Sequence, residues 1–133
     1  MSRVRDAMVS DPVALDAGAS AQDAGVRLSD PGVRAVLVCD DGALLGVVTR
    51  KTLVREVVAT GRQPSATPLG DIAEPPIFTL DADEDLERAF RELEHRDLER
   101  VPVTENGRLV GILSRSVVQR RLAEDEPPVE ERV

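Results

Sequence analysis

The stretch that decides the fold is GVVTRKTLV, residues 46–54, which has a counterpart 65 positions later in GILSRSVVQ, residues 111–119. In both, an apolar run typical of a strand leads into a hydroxyl residue, an arginine and a helix-like segment. The same ungapped offset relates positions along most of the chain: Asp6 and Asp71, Leu15 and Leu80, Gly42 and Gly107, Gly46 and Gly111, Arg50 and Arg115. One offset for all these pairs predicts two copies of one structural unit.

Each copy is predicted to contain a strand, a helix, a β-hairpin and a second helix. The hairpins join residues 35–39 to 44–48 and residues 101–104 to 109–113, through Asp41-Gly42 and Asn106-Gly107. These dipeptides favour tight hairpin turns because both turn residues need positive φ. Helices are predicted from Leu86, Ala89, Phe90 and Leu93, from a weaker stripe near Ala24, and over residues 52–60 and 116–123.

The fold class is therefore α/β (α+β), with two pseudo-symmetric βαββα units that share a core. We predict unit 1 at residues 1–60, a Gly- and Pro-punctuated linker at 61–68, unit 2 at 69–123 and a disordered acidic tail at 124–133. Because Phe78 and Phe90 are the only aromatic residues, the core is expected to be aliphatic.

Composition narrows the functional class. A net charge of −8 argues against non-specific nucleic-acid binding. The sequence has no apolar run of about 18 residues and no secretory signal at its start, which predicts a cytoplasmic protein with no membrane partner. Cys39 and His95 are the only residues of their types, so no metal site and no catalytic site is predicted, and we do not expect an enzyme.

The hydroxyl and arginine at each hairpin end admit two interpretations. Thr49 and Ser114 are typical helix N-caps, which is a structural role. However, Arg50 and Arg115 fall in a first helical turn, where the helix dipole disfavours a cation. A hydroxyl, a guanidinium and free N–H groups at one place suit an anion such as phosphate. The alternative is that both arginines point to water or pair with acidic side chains.

The motif Val101-Pro102-Val103-Thr104-Glu105-Asn106-Gly107-Arg108-Leu109-Val110-Gly111-Ile112-Leu113-Ser114-Arg115, with its first-copy counterpart from Val36 to Arg50, resembles the cystathionine-beta-synthase (CBS) domain pair, the Bateman module. The resemblance extends from Val4 to Leu122. It implies two units packed sheet against sheet, with clefts between them that hold AMP, ADP, ATP or S-adenosylmethionine. It also implies a homodimer.

The resemblance also implies which residues contact a ligand. Ribose binding in the family uses the Thr or Ser with an Asp three residues later, and here that position holds Thr52 in the first copy and Val117 in the second. A basic residue before the hairpin, Arg34 or Arg100, is expected to face phosphate, with Arg100 the better match. The adenine walls are expected from Val13, Ile77 and Phe78, for which core packing is the alternative. The implied ligand-binding set is Thr49, Arg50, Thr52, Ser114, Arg115, Arg100, Arg34, Val13, Ile77 and Phe78.

Two functions follow. The first is a regulatory module that binds an adenosine ligand in the cleft between the units and transmits its presence to a partner protein, which the sequence does not identify. The second is a ligand-free dimerisation or interaction module with degenerate clefts. The missing carboxylates at positions 52 and 117 favour the second, whereas the repeated hydroxyl and arginine favour the first.

Overall fold

The structure, a computed structural model, describes residues 2–124, so the tail predicted for residues 124–133 lies outside the described residues from residue 125 onward. The helices are α1 (Val4–Ala7), α2 (Ala21–Leu28), α3 (Arg50–Leu53), α4 (Leu86–His95) and α5 (Arg115–Glu124). The strands are β1 (Ala14–Asp16), β2 (Val36–Asp40), β3 (Ala43–Val48), β4 (Leu80–Asp81), β5 (Arg100–Glu105) and β6 (Arg108–Ser114). A π-helical turn at Val54–Val58 continues α3, and short 3₁₀ turns lie at Pro64–Ala66 and Leu69–Asp71.

The predicted α/β class and both hairpins are confirmed. The turn residues have the positive φ angles that the Asp-Gly and Asn-Gly pairs predicted: 50° at Asp41, 84° at Gly42, 53° at Asn106 and 79° at Gly107. The amphipathic stripe of α4 is confirmed as well, because Leu86, Ala89 and Leu93 are buried.

The first compact unit consists of residues 12–77 and 107–109. In it, β1 runs parallel to β2, β2 runs antiparallel to β3, and Ala43 of β3 pairs with Arg108. Helix α2 begins at the N-cap Ser20, which exchanges hydrogen bonds with Asp23. The buried core of this unit is aliphatic: Ala21, Ala24, Leu28, Val36, Val38, Val48, Val57, Leu69 and Ile72.

The second compact unit consists, among the described residues, of 2–11, 78–106 and 110–124. Here β4 runs parallel to β5, which is hydrogen-bonded to β6. Helices α1, α4 and α5 pack around the buried residues Val4, Leu80, Ala82, Leu86, Ala89, Leu93, Val101, Val103, Leu113 and Val118. None of the helices that the structure describes has the length and apolarity needed to cross a membrane.

The first segment of each sequence repeat completes the unit formed mainly by the other repeat. In the second unit, Val9 forms a β-bridge with Ile112; in the first unit, Glu74 forms one with Val47. The 65-residue offset superposes the first of these bridges on the second. It also superposes the bridge between Arg3 and Asp85 on the bridge between Pro68 and Ser20. We call residues 2–11 and 67–77 the lead-in segments. A repeat alignment cannot reveal this exchange, because it does not specify which copy a segment packs against.

The lead-in segments explain the glycines of the two quoted stretches. A Cβ at Gly46 would lie 2.5 Å from the carbonyl oxygen of Glu74, and a Cβ at Gly111 would lie 2.8 Å from that of Val9. Both distances are too short for a side chain. Glycine at these positions therefore lets the lead-in backbone lie directly against the strand that precedes each hydroxyl residue.

Candidate functional site

The hydroxyl site of the first unit is formed by Thr49 and Thr52 at the end of β3. Thr49 Oγ1 accepts a hydrogen bond from the Thr52 backbone N–H at 3.3 Å, and Thr52 Oγ1 accepts one from the Thr49 N–H at 3.0 Å. This reciprocal capping box confirms the N-cap interpretation of Thr49. The two hydroxyl oxygens lie 3.1 Å apart, and Thr52 is only 1% exposed.

A carboxylate lies beside these hydroxyls, although neither position 52 nor its neighbours in α3 carry one. It belongs to Glu74 of the lead-in segment, whose Oε1 accepts from Thr52 Oγ1 at 3.5 Å. The same oxygen forms an ion pair with Arg55, which lies in the π-helical turn. Both charged side chains are about half exposed, so the group faces solvent on one side.

Arg50, which follows Thr49, has its guanidinium occupied within the first unit. Its Nη2 donates to the backbone oxygens of Asp30 and Val33, each at 2.9 Å. These carbonyls lie in the loop between α2 and β2. The anion-binding role of Arg50 remains a prediction. It requires Arg50 to give up these two hydrogen bonds for contacts with the anion.

The matching site of the second unit is filled by a carboxylate of its own. Glu99 Oε1 accepts from Ser114 Oγ at 3.2 Å and from the Ser116 backbone N–H at 3.3 Å, while the Arg115 N–H donates to the Glu99 carbonyl oxygen at 2.7 Å. Arg115 forms ion pairs with Asp97 at 3.3 Å and with Glu99 at 3.6 Å. The first turn of α5 therefore already holds an anion from the protein, in the place where an external anion was predicted.

The pKa of Glu99 lies below its ordinary value. Hydrogen bonding from Ser116 is the main cause, with smaller contributions from Ser114 and from the positive charge of Arg115. Partial desolvation opposes these effects without reversing them. The carboxylate is thus held in its ionised form at neutral pH.

The repeat offset makes four positions of the two sites equivalent, and the residue types differ at three of them. The hydroxyl residue is kept, as Thr49 or Ser114, but its surroundings change in polarity and in charge. The first-unit residues and their second-unit counterparts are Arg34 and Glu99, Thr52 and Val117, Arg55 and Arg120, and Glu74 and Val9. Of these four pairs, only Arg55 and Arg120 have the same character.

The remaining sequence-predicted residues are divided between the units. Arg34 lies exposed before β2 in the first unit, where Val13 and Ile77 are 40% and 86% exposed. In the second unit, Arg100 is exposed at the start of β5, and Phe78 packs against the core. The Arg96 guanidinium lies 4.2 Å from the centre of the Phe78 ring. Within residues 2–124, no side-chain hydrogen bond or ion pair joins any of these five residues to Thr49, Thr52 or Ser114, so their predicted ligand contacts stay predictions.

Sequence reasoning missed Glu74 and Glu99. Glu74 is distant in sequence from the hydroxyl that it contacts, and only the exchange of lead-in segments brings it there. Glu99 directly precedes Arg100, the residue that the family resemblance predicts to face phosphate. The available signal was the charge reversal between Glu99 and Arg34 under the repeat offset.

Within residues 2–124, no three His, Cys, Asp or Glu side chains are grouped so that they would hold a metal ion. Cys39 is partly buried, and burial, followed by the charge of Asp16, raises the pKa of its thiol. Surface grooves lie on the face formed by α2 and α3 and on the face formed by α4 and α5, and their linings do not include Thr49, Thr52 or Ser114.

Comparison with known proteins finds one family. The profile of the CBS domain matches residues 4–59 and again residues 69–124. A curated relative, hypoxic response protein 1 of Mycobacterium tuberculosis, is 31% identical over 93 residues; the match covers 69% of this chain and 65% of that protein. This chain therefore matches slightly less than two thirds of its relative's length.

Solved structures agree with the family match. A crystal structure of hypoxic response protein I with two coordinated zinc ions has a TM-score of 0.75 and 25% identity, with 91% of this chain and 99% of that chain covered. The crystal structure of CBSX2 in complex with AMP has a TM-score of 0.72 and 25% identity, with 94% and 98% covered.

Proposed function

The chain belongs to the CBS domain family and carries two CBS domains in tandem, and from this we propose that it is a regulatory binding module for an adenosine ligand. The ligand class comprises AMP, ADP, ATP and S-adenosylmethionine. We propose that the ligand binds at the Thr49–Thr52 site of the first unit and that its presence is transmitted to a partner protein. No catalytic step and no metal form part of this proposal, and the protein is expected to act in the cytoplasm.

The observation that carries the proposal is the group of polar side chains at the end of β3. Thr49 and Thr52 place two hydroxyls 3.1 Å apart, and Glu74 adds a carboxylate beside them. Hydroxyl and carboxylate groups at one place suit a polyhydroxylated ligand such as a nucleoside. The AMP complex of the structural neighbour CBSX2 supports the choice of an adenosine compound.

We further propose that the phosphate of the ligand faces Arg34. This residue is the counterpart, under the 65-residue offset, of Glu99, which contacts the hydroxyl residue of the second unit. An arginine in place of a glutamate changes the local preference from a cation to an anion. Binding is therefore proposed at the first unit only, because Glu99 already fills the second.

A thermal-shift screen with AMP, ADP, ATP and S-adenosylmethionine tests the proposal. A ligand at about 100 times its dissociation constant stabilises the folded state by about 2.7 kcal/mol, which raises the midpoint by several degrees. The shift should disappear in Thr49→Val and persist in the matched variant Ser114→Ala. If none of these compounds moves the midpoint at millimolar concentration, the ligand-binding proposal is wrong.

One feature favours the second candidate, a dimerisation module. The helical face of the first unit exposes three valines: Val26 at 66%, Val54 at 58% and Val58 at 71%. The equivalent positions of the second unit carry Arg91, Gln119 and Ala123. Exposed apolar side chains beside a shallow groove are typical of protein contacts.

We propose that a second copy of the chain covers the valine face in a two-fold homodimer. Light scattering should report twice the chain mass for the parent protein and the single mass for Val58→Glu. The control is Ala123→Glu, which places the same charge at the equivalent position of the second unit. If Val58→Glu keeps the dimer mass, the valine face is not the interface.

A further inference from the structure

We propose that Glu74 is the specificity-determining residue of the first-unit site, and that it selects ligands with an intact ribose 2′,3′-diol. This inference rests on the proposed function, because it names the chemical group by which the adenosine ligand is recognised. It assigns the recognition to a residue of the lead-in segment and not to α3.

The carboxylate of Glu74 has hydrogen-bond acceptor capacity that the described protein residues leave unused. Glu74 Oε1 already meets the Thr52 hydroxyl and Arg55. Oε2 accepts no hydrogen bond from any residue between 2 and 124. An ionised carboxylate has about four acceptor positions on its two oxygens, so unused capacity faces solvent. The side chain is 46% exposed, which leaves it accessible to a ligand.

The neighbouring charges decide which kind of ligand group fits. An ammonium group would be attracted by Glu74 but repelled by Arg55, and an anion would be repelled by the carboxylate itself. A neutral pair of hydroxyl donors has neither conflict. The two O–H groups of a cis-diol can reach one carboxylate together, and hydrogen bonds to an ionised acceptor are roughly twice as strong as neutral ones.

The position of Glu74 is fixed by its backbone. Its N–H donates to the Val47 oxygen at 3.0 Å, and its oxygen accepts from the Val47 N–H at 2.8 Å. Gly46 permits this close approach, since a Cβ there would collide with the Glu74 carbonyl oxygen. The carboxylate is therefore attached to the same strand end that presents Thr49, as precise recognition requires.

The equivalent positions of the second unit carry no carboxylate. Val9 stands at the position equivalent to Glu74, and Val117 at the position equivalent to Thr52. Neither side chain can accept a hydrogen bond from a diol. The carboxylate of the second site, Glu99, instead accepts hydrogen bonds from Ser114 and from the Ser116 N–H and pairs with Arg115, so the proposed diol contact is assigned to the first-unit site.

Isothermal titration with AMP, 2′-deoxy-AMP and 3′-deoxy-AMP tests the inference. The parent protein should bind AMP at least about tenfold more tightly than either deoxy analogue, since a hydrogen bond to a charged group is lost in each case. In Glu74→Gln this preference should fall to about twofold or less. The matched control is Arg55→Gln, which breaks the same ion pair but keeps the carboxylate and should retain the preference.

The outcomes separate this inference from the proposed function. If the parent protein binds all three nucleotides equally, or if Glu74→Gln keeps the preference, the inference is wrong and the proposed function stands. If Arg55→Gln loses the preference as fully as Glu74→Gln, the ion pair and not the carboxylate is responsible, which also overturns it. If the parent protein binds none of the three at millimolar concentration, the proposed function and the inference both fail. Should Glu74→Gln unfold, Glu74→Asp replaces it; its shorter carboxylate should weaken the preference, and an unchanged preference contradicts the inference.

Discussion

The two hairpin ends share a scaffold but differ in chemistry. At both, a glycine lets a lead-in segment lie against the strand, and a hydroxyl residue follows before a helix begins. The first end gathers two threonines, Glu74 and Arg55, whereas the second is closed by Glu99. Comparison of the two ends teaches that the repeat preserves the backbone contacts, whereas the side chains around the hydroxyl residue have diverged.

The largest expected effect concerns the shared scaffold. Gly46→Ala and Gly111→Ala should each reduce the free energy of unfolding by about 1–3 kcal/mol, because the new Cβ forces backbone apart at a packed contact. Urea denaturation monitored by circular dichroism measures this loss. The two variants should suffer similar losses if the scaffold is the same at both ends.

Gly107→Ala is the control for this pair. Gly107 has a positive φ of 79°, but a Cβ there would meet no atom within 4 Å. Its replacement should cost about 1 kcal/mol through backbone strain alone. A loss at Gly46 no larger than that at Gly107 would show that the lead-in contact is not tightly packed.

The scaffold was largely predictable from the sequence. The turn dipeptides of the hairpins require positive φ, and the apolar stripe of α4 has a helical period, so both signals are local. The 65-residue offset then linked the two halves. The exchange of lead-in segments was not predictable, because it depends on long-range packing between residues such as Glu74 and Val47 that no local pattern encodes.

The candidate site was predictable only in part. The capping role of Thr49 follows from its position between a strand and a helix, and the structure confirms it. Glu74 reaches Thr52 only through the exchanged segment, and the engagement of Arg50 by Asp30 and Val33 depends on the shape of a loop. These contacts arise from tertiary structure, which motif spacing does not specify.

The next effect concerns the charge reversal between the two ends. Arg34→Glu should weaken AMP binding about tenfold, because it replaces a cation near the proposed phosphate position by an anion. Adenosine, which carries no phosphate, should lose much less affinity. Titration of both ligands measures the difference, and an equal loss for the two would contradict the phosphate assignment of Arg34.

The smallest expected effect concerns Glu99, the carboxylate at the end of the second hairpin. Because the folded-state pKa of Glu99 is lowered, its ionised form stabilises the fold at pH values above its ordinary pKa of 4.5. This stabilisation should be lost as the pH falls through the lower folded-state pKa. Glu99→Gln should therefore cost about 0.5 kcal/mol at pH 7, a small value because the side chain is half exposed.

The pH dependence distinguishes this contribution from a general loss of stability. Thermal melts of the parent protein and of Glu99→Gln at pH 7 should differ, and the two midpoints should converge as the pH is lowered below 4.5. A difference that stays constant with pH would mean that the ionised carboxylate of Glu99 is not what stabilises the first turn of α5.

The stoichiometry of AMP binding tests most directly the claim that one end is a ligand site and the other is closed. Isothermal titration of the parent protein should give one site per chain, unchanged in Ser114→Ala and absent in Thr49→Val. Two sites per chain, or a single site that disappears in Ser114→Ala, would contradict the account.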